Sequence, residues 1–253
     1  RGIITATRGN HGQSQARAAT AMGLEAHVYV PRGNAVEKNA AMRAYGARLV
    51  EHGDDFDEAR EEAMRVAEVE GLIPVPPFHT ELVRGVATYG FELFTAHPDL
   101  DTVYVPIGCG SGICGVIAAR DALGIDCEVV GVVSTEAPGP KLSVEAGHLV
   151  EVADATTFAD GIAVRVPVQD AFDIYATGAA RIVAVSDTQI AEAIRLYFRT
   201  IHNAAEGAGA AALAALMAEK DLRTGRKTAV ILSGGNIDTG WFQTVLAGNM
   251  PHI

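Results

Sequence analysis

Short apolar runs rich in β-branched residues alternate along the chain with longer segments of helical periodicity. This alternation predicts an α/β fold, because strands of a parallel sheet that are covered by helices on both faces read as continuous apolar runs. The predicted strands cover residues 2–6, 26–30, 48–51, 72–75, 102–106, 128–133, 181–185 and 228–232. The predicted helices include residues 11–22, 36–45, 56–70 and 81–96, with Gly23, Gly46 and Gly71 at the C-terminal cap positions. We therefore expect mostly parallel, twisted sheets flanked by helices.

Two further helices and one boundary between lobes are also marked in the sequence. Ser186 and Gln189 have the spacing of a capping box. The apolar stripe that follows is predicted to face the core and consists of Ile190, Ile194, Tyr197 or Phe198, and Ile201. Residues 206–216 are rich in alanine and nearly uncharged, which predicts a helix buried on most sides. The Pro-rich residues 74–77 indicate a boundary between two lobes.

Composition and charge exclude several classes of protein. Among 253 residues, 49% are hydrophobic and 20% are charged, and no apolar run approaches the length of a bilayer span. The formal net charge of −11 repels nucleic acid and anionic membranes, so an anionic ligand needs a local binding site. Cys109, Cys114 and Cys127 lack the CxxC spacing, which favours free thiols in a reducing cytoplasm over disulfides or a zinc site.

The most specific local feature is a strand that leads into Gly108, Gly110 and Gly112 and then into a helix. Glycines let the backbone approach an anion, and the N-terminus of the helix adds about half a positive charge, so this loop is predicted to hold a phosphate group. The spacing does not fit a Rossmann fingerprint, and the lysine of a P-loop is absent. The alternative is a tight turn between a strand and a helix.

Two other strand ends carry polar residues. In the first, Thr7 and Asn10 precede a predicted helix that begins at His11, and these side chains and the free amides of the helix start could bind a carboxylate. Asn10 could also donate to a phenolate-like oxygen; the alternative is an asparagine helix cap with a surface histidine. In the second, Ser233 follows a buried strand and its hydroxyl could donate a hydrogen bond to an aromatic ring nitrogen. The alternative there is an ordinary turn that ends the strand.

Five segments carry a resemblance to a known family in both their sequence and their order: residues 9–13, 108–112, 157–163, 206–210 and 232–236. They resemble the threonine/serine dehydratase family of fold-type II pyridoxal-phosphate (PLP) enzymes, which includes serine racemase. The likeness runs along essentially the whole chain. It implies a small lobe of residues 4–79 and a large lobe of residues 80–253. It also implies that Asn10 contacts the 3′-oxygen of PLP and that Ser233 faces the pyridine nitrogen. The implied phosphate-binding residues are Gly108, Cys109, Gly110, Ser111 and Gly112, and the implied substrate-carboxylate loop consists of Thr7, Arg8, Gly9, Asn10 and His11.

The implied reaction is β-elimination from a small hydroxy-amino acid, such as L-threonine, L-serine or a 3-hydroxyaspartate-like substrate, to give a 2-oxo acid and ammonia. A neutral serine at the ring nitrogen is expected to favour elimination over transamination. The alternatives are an amino-acid racemase or β-replacement enzyme of the same fold, and a PLP-binding protein without catalysis. The resemblance further implies a homodimer or larger homo-oligomer, whereas the cysteines and the net charge indicate a cytoplasmic protein that binds neither nucleic acid nor membranes.

The lysine that holds PLP as a Schiff base lies upstream of residues 9–13 in this family, so we expect it, and the N-terminal part of the large lobe, to precede residue 1. None of Lys38, Lys141, Lys220 and Lys227 has the family pattern. A regulatory C-terminal extension is not expected, because little chain follows Ser233.

At Arg8 and near Glu136 the sequence departs from the pattern of this family. Arg8 stands where these dehydratases usually have serine or alanine; it would either grip a second acidic group of the substrate or pair with an aspartate or glutamate. Because serine racemase uses a serine at that position for proton transfer, Arg8 argues against racemisation.

Glu136 matches an acid of the divalent-cation site of some relatives, but a second carboxylate is missing, so no metal is expected. Asp160 and Glu206 are expected to organise loops around the cofactor.

Overall fold

The computed structural model describes residues 2–54 and 56–252, with the side chain of Asp57 also left aside. The chain forms two compact units, Arg1–Pro77 (unit 1) and Phe78–Ile253 (unit 2). Each unit contains its own sheet, and each is described by itself.

Unit 1 is a four-stranded parallel sheet in the order β3-β2-β1-β4. Its elements are β1 (Ile3–Ala6), α1 (Asn10–Ala21), β2 (Ala26–Val30), α2 (Val36–Ala44), β3 (Ala47–Glu51), α3 (Phe56–Glu70) and β4 (Ile73–Pro74). Gly23, Gly46 and Gly71 follow the three helices with positive φ angles, as predicted for C-terminal caps. The strand predicted at residues 72–75 is shortened to two residues, although the Val75 N–H still donates to the Ile4 carbonyl at 2.9 Å.

Unit 2 is a second four-stranded parallel sheet, in the order β7-β6-β5-β8. Its strands are β5 (Thr102–Pro106), β6 (Glu128–Ser134), β7 (Arg181–Val185) and β8 (Thr228–Val230). Its helices are α4 (Thr80–Ala96), α5 (Ser111–Leu123), α6 (Gly139–Ala146), α7 (Gln169–Gly178), α8 (Asp187–Ile201), α9 (Gly207–Ala218) and α10 (Thr239–Leu246), with 3-10 turns at Asp160–Ile162 and Lys220–Arg223. The predicted α/β class with parallel sheets is confirmed.

The sheet of unit 2 is buried on both faces, which explains the apolar runs of its strands. Along β5, Val103 and Val105 pack in one hydrophobic cluster, and Tyr104 packs in another with residues of α8 and α9. Successive side chains of a strand point to opposite faces, so both faces need apolar residues. The alanine-rich helix α9 is buried along most of its length, as predicted.

The capping box of α8 is confirmed, because Ser186 and Gln189 exchange both of their hydrogen bonds. The apolar stripe of α8 that was predicted to face the core is confirmed only in part. Ile190, Ile194 and Tyr197 are buried, whereas the prediction for Ile201 was wrong, since its side chain is 54% exposed. Ile201 is the last residue of α8, and the chain leaves the core there.

Candidate functional site

The glycine-rich loop of unit 2 lies at the carboxyl end of β5. The strand ends at Pro106, and α5 begins at Ser111 with Gly110 as its N-cap at a φ angle of 101°. The cap makes no side-chain hydrogen bond, and the first turn contains no acidic residue. The first N–H groups of a helix have no intrahelical acceptor, and the helix dipole adds partial positive charge there. The residues of this loop therefore fit a bound anionic group such as a phosphate.

The glycines of this loop also allow it to pack against its neighbours. A Cβ atom at Gly108 would lie 2.3 Å from the carbonyl oxygen of Gly161, and one at Gly110 would lie 2.6 Å from the Cβ atom of Ala171. A Cβ atom at Gly112 would meet nothing closer than 3.4 Å, which is ordinary contact. Close packing behind the loop is thus a second reason for glycine at positions 108 and 110, beyond the approach of an anion.

The turn that contains Gly161 packs against both the glycine-rich loop and α9. A Cβ atom at Gly161 would lie 2.8 Å from the Cβ atom of Ala208, and one at Gly207 would lie 2.6 Å from the Cα atom of Ala159. Such distances are possible only between backbones that nearly touch. The 3-10 turn Asp160–Ile162 is therefore packed between the glycine-rich loop and the N-terminus of α9.

The segment of Ser233 reaches the same edge of the sheet. β8 pairs in parallel with β5, and the N–H of Ile231 still donates to the carbonyl of Tyr104 at 3.0 Å. The strand ends at Val230, two residues earlier than predicted, and Ser233 is exposed. The N–H of Glu206 donates to the carbonyl of Gly234 at 3.1 Å, which joins this segment to the start of α9. Within unit 2, tertiary structure therefore brings together residues 108–112, 157–162, 206–209 and 233–235.

In unit 1, the polar turn predicted as a carboxylate loop follows β1 and leads into α1. Thr7 is buried, and its hydroxyl accepts a hydrogen bond from the N–H of Gly9 at 3.1 Å. Gly9, rather than Asn10, is the N-cap of α1, and Asn10 is exposed as the first helical residue. Arg8 is exposed and forms no ion pair with the described residues of unit 1. The N-terminus of α1, like that of α5, has neither a side-chain cap nor an acidic residue in its first turn.

His11 is held by hydrogen bonds within unit 1. Its Nε2 atom lies 3.0 Å from the hydroxyl of Thr5 and 3.4 Å from the carbonyl oxygen of Val75. The Thr5 hydroxyl already donates to Val75 at 2.7 Å, so it accepts from His11, and Nε2 carries the proton. Burial lowers the pKa of His11, against a smaller opposing effect of its hydrogen bond to Val75. His11 is therefore neutral near pH 7 and orders the loop without adding charge.

We expect the lowered pKa of His11 to make the protein less stable in mild acid. The unfolded state takes up a proton as the pH falls through the ordinary value of 6.5, and the folded state resists this protonation, so unfolding becomes more favourable. The stability contributed by neutral His11 is thus present above pH 6.5 and lost as the pH falls towards the folded pKa. In His11→Gln, which keeps an N–H donor, this loss should be smaller. Thermal unfolding of both proteins from about pH 8 to about pH 5 measures the difference, and parallel curves would contradict the assignment.

The cysteine of the glycine-rich loop and two of the lysines considered above are partly or fully buried, or are paired with other side chains. Burial raises the pKa of the Cys109 thiol, so this residue contributes to the loop through its backbone rather than as a thiolate. Lys141 pairs with Glu145, and Lys38 is buried on α2. Among the side chains that the structure describes, which leave out Asp57, no three His, Cys, Asp or Glu residues of 2–54 and 56–252 are grouped so that they could hold a metal ion. None of the helices in those residues is long and apolar enough to traverse a bilayer.

These features define an α/β protein with two uncapped helix starts that follow the carboxyl ends of parallel strands. The chain belongs to the pyridoxal-phosphate dependent enzyme family, which it matches over residues 1–234. Membership in this family confirms both the resemblance seen in the sequence and the cofactor that it implied.

Individual relatives give the same result. The chain is 35% identical over 247 residues to an L-threonine ammonia-lyase of Thermotoga maritima, in a match that covers 97% of this chain and 61% of that protein. It superposes on the processed form of threonine deaminase isoform 2 from Solanum lycopersicum with a TM-score of 0.92 and 31% identity, over 98% of this chain and 74% of that one. For maize serine racemase the TM-score is 0.90 and the identity 26%, over 98% and 77% of the two chains. The chain thus spans less than two thirds of the Thermotoga enzyme.

Proposed function

We propose that the full-length protein is a PLP-dependent ammonia-lyase that converts a small hydroxy-amino acid, such as L-threonine or L-serine, to a 2-oxo acid and ammonia by β-elimination. One observation carries the proposal. The uncapped N-terminus of α5 lies at the same sheet edge as the Ser233 segment, in a chain 35% identical to an L-threonine ammonia-lyase. The identity supports the reaction class, and the two loops supply the groups that the cofactor requires.

In the large lobe, residues 80–253, the proposed task is to hold the cofactor. The N–H groups of the loop and the first turn of α5 would bind the phosphate, because they are positively polarised and no acidic residue competes for them. The residues assigned to this role are Gly108, Cys109, Gly110, Ser111 and Gly112. Ser233 would hydrogen-bond the pyridine nitrogen as a neutral group, so it would not stabilise a protonated ring in the way that a carboxylate does.

In the small lobe, residues 4–79, the proposed task is to bind the substrate carboxylate. Thr7, Gly9 and the first N–H groups of α1 form an uncapped helix start that suits an anion. Asn10, which is exposed, would donate a hydrogen bond to the 3′-oxygen of the cofactor. His11 would hold the turn in place through Thr5, and Arg8 would supply the positive charge of the loop.

When bound, PLP supplies the electron sink that makes the substrate Cα–H bond acidic. The residues assigned here bind and orient: the carboxylate loop sets the position of the substrate, and the loop of α5 sets the position of the phosphate. Precise orientation of the bond to be broken is a large part of catalysis, so both helix starts are expected to affect kcat as well as KM.

The test uses the full-length protein with PLP. Incubation with L-threonine and with L-serine should yield 2-oxobutanoate and pyruvate, each with an equal amount of ammonia. Formation of D-serine without pyruvate would instead identify a racemase of the same fold. Bound cofactor without turnover of L-threonine, L-serine or 3-hydroxyaspartate would identify a non-catalytic PLP-binding protein. Either of these outcomes overturns the proposal.

Arg8 is expected to set the preference between monocarboxylic and dicarboxylic substrates. Its guanidinium is exposed and has no ion-pair partner among the described residues of unit 1, so it can bind a second carboxylate in bidentate fashion. In Arg8→Ser, kcat/KM for 3-hydroxyaspartate relative to L-serine should fall by about tenfold to a hundredfold, the value of one charge-assisted hydrogen-bonded pair. Arg17→Ser, an arginine change later in α1, is the control. An unchanged ratio in Arg8→Ser would assign the guanidinium to another role.

We also propose that the enzyme acts in the cytoplasm and as a homodimer or larger homo-oligomer. Three free cysteines and an acidic net charge of −11 support a reducing compartment without nucleic-acid partners. Sedimentation of the full-length protein measures the assembly directly, and a monomer at all concentrations would contradict this part.

A further inference from the structure

Asp187 makes contacts that its position in α8 does not require. It is the first residue of α8, and the cap of that helix is already complete, because Ser186 and Gln189 satisfy each other. The carboxylate of Asp187 instead accepts two hydrogen bonds from a segment 30 residues away: the Thr157 hydroxyl donates to Oδ1 at 2.5 Å, and the Phe158 N–H donates to Oδ2 at 3.3 Å. Both donor residues are buried, with exposed fractions of 4% and 2%.

These two bonds determine the shape of the turn that follows. The Thr157 oxygen also accepts a hydrogen bond from the N–H of Ala159 at 3.1 Å, so the hydroxyl both donates and accepts. The 3-10 turn Asp160–Ile162 then closes with a bond from the N–H of Ile162 to the carbonyl of Ala159 at 2.9 Å. Asp187 therefore fixes the start of the turn, and the local hydrogen bonds carry that geometry forward to Gly161.

The far end of the turn touches the proposed phosphate loop. The carbonyl oxygen of Gly161 lies 2.3 Å from the position that a Cβ atom at Gly108 would take, which is too close for any side chain there. Gly108 follows β5 and precedes the N-cap of α5, so a shift of Gly161 moves the backbone that leads into this helix start. A contact between two backbones leaves no flexible side chain to absorb the shift.

We propose that Asp187 is a positioning residue for the cofactor phosphate: it holds the Thr157–Phe158 backbone so that the Gly161 carbonyl keeps Gly108 in the geometry that the anion needs. This inference rests on the proposed function, since it takes residues 108–112 as the phosphate site. Asp187 itself does not contact the phosphate in this scheme. It acts through Thr157, the 3-10 turn and Gly161.

Variants of the two partners separate this role from general stability. Thr157→Val keeps the shape of the side chain and removes the hydroxyl, whereas Thr157→Ser keeps the hydroxyl. Asp187→Ala removes both acceptor oxygens. Asp187→Asn keeps one acceptor oxygen and replaces the other by an NH₂ donor. The asparagine variant replaces the alanine variant in the experiment if the latter is insoluble. Asp101→Asn is the matched control, because Asp101 also accepts a backbone N–H, from Lys227 at 2.7 Å, but it lies just before the opposite end of β5.

The full-length protein is titrated with PLP, and three readouts are compared: the dissociation constant, the phosphorus NMR signal of the bound phosphate, and the fluorescence of Trp241. Trp241 is the single tryptophan of these 253 residues, and its ring meets that of Phe158 edge-on at 6.4 Å, so the part of the fluorescence that Trp241→Phe removes reports on the turn. We expect Asp187→Ala, Asp187→Asn and Thr157→Val to weaken PLP binding by about tenfold and to shift the phosphorus signal, since a buried N–H or hydroxyl loses its partner. Thr157→Ser and Asp101→Asn should stay within about threefold of wild type.

The outcomes are distinguishable. If Asp187 and Thr157 variants that still fold bind PLP with wild-type affinity and an unchanged phosphorus signal, the positioning role is refuted. If Asp101→Asn weakens binding as much as Thr157→Val does, the effect is one of stability and the inference also fails. If the wild-type protein itself does not bind PLP, the proposed function fails instead.

Discussion

Replacing Gly209 by alanine is expected to lower the free energy of unfolding of unit 2 by about 3 kcal/mol, at the upper end of the usual cost of overpacking. A Cβ atom at this position would lie 2.1 Å from the carbonyl oxygen of Gly234 and 3.0 Å from its nitrogen. Both are backbone atoms, and Glu206 donates to the same carbonyl, so the segment cannot move aside without breaking that bond. For a domain of this size the change corresponds to a fall in Tm of roughly 6–12 °C.

The measurement is thermal unfolding followed by the fluorescence of Trp241, which lies in unit 2. Gly85→Ala is the matched control, because Gly85 is also inside a helix, α4, and a Cβ atom there would have nothing within 4 Å. Alanine should stabilise the helix at that position by about 0.5–1 kcal/mol. Equal Tm values for Gly209→Ala and wild type would show that α9 does not depend on this close contact.

Replacing Gly108 by alanine is expected to weaken PLP binding by about a hundredfold or more, whereas Gly112→Ala should stay within about threefold of wild type. The two glycines belong to one motif, but their surroundings differ. At Gly108 the added Cβ atom would lie 2.3 Å from the carbonyl oxygen of Gly161, and at Gly112 its nearest neighbour would be the Tyr89 hydroxyl at 3.4 Å. Alanine at position 108 must displace either the turn or the loop, and alanine at position 112 need displace neither.

The comparison decides between two reasons for the glycines. If they served only to let the backbone approach the anion, both substitutions would weaken binding to a similar degree. If packing behind the loop is the dominant reason, Gly108→Ala weakens binding far more than Gly112→Ala does. Titration of the full-length variants with PLP measures the affinities, and thermal unfolding identifies any variant that fails to fold. Loss of binding in Gly112→Ala with an unchanged Tm would contradict the packing explanation.

Part of the candidate site was readable from short segments of sequence. The three glycines at positions 108, 110 and 112 after an apolar strand predicted a strand, a loop and a helix start, and the structure has all three there. The loop from Thr7 to His11 was predicted in the same way, and it does lead from β1 into α1. What short segments could not supply was the protonation of His11, which depends on Thr5 and on Val75, 64 residues away.

By itself the sequence determined the parallel α/β architecture, the course of most strands and helices, and the motifs that identify the PLP-dependent family. Periodicity and capping are local properties, so they can be read within about 15 residues. Only the tertiary structure decided that Gly161 packs on Gly108, that Gly234 packs on Gly209, and that Asp187 accepts hydrogen bonds from Thr157 and Phe158. These contacts join segments far apart in the chain, and no local pattern encodes which backbones will meet, because that depends on how the strands and helices stack as a whole.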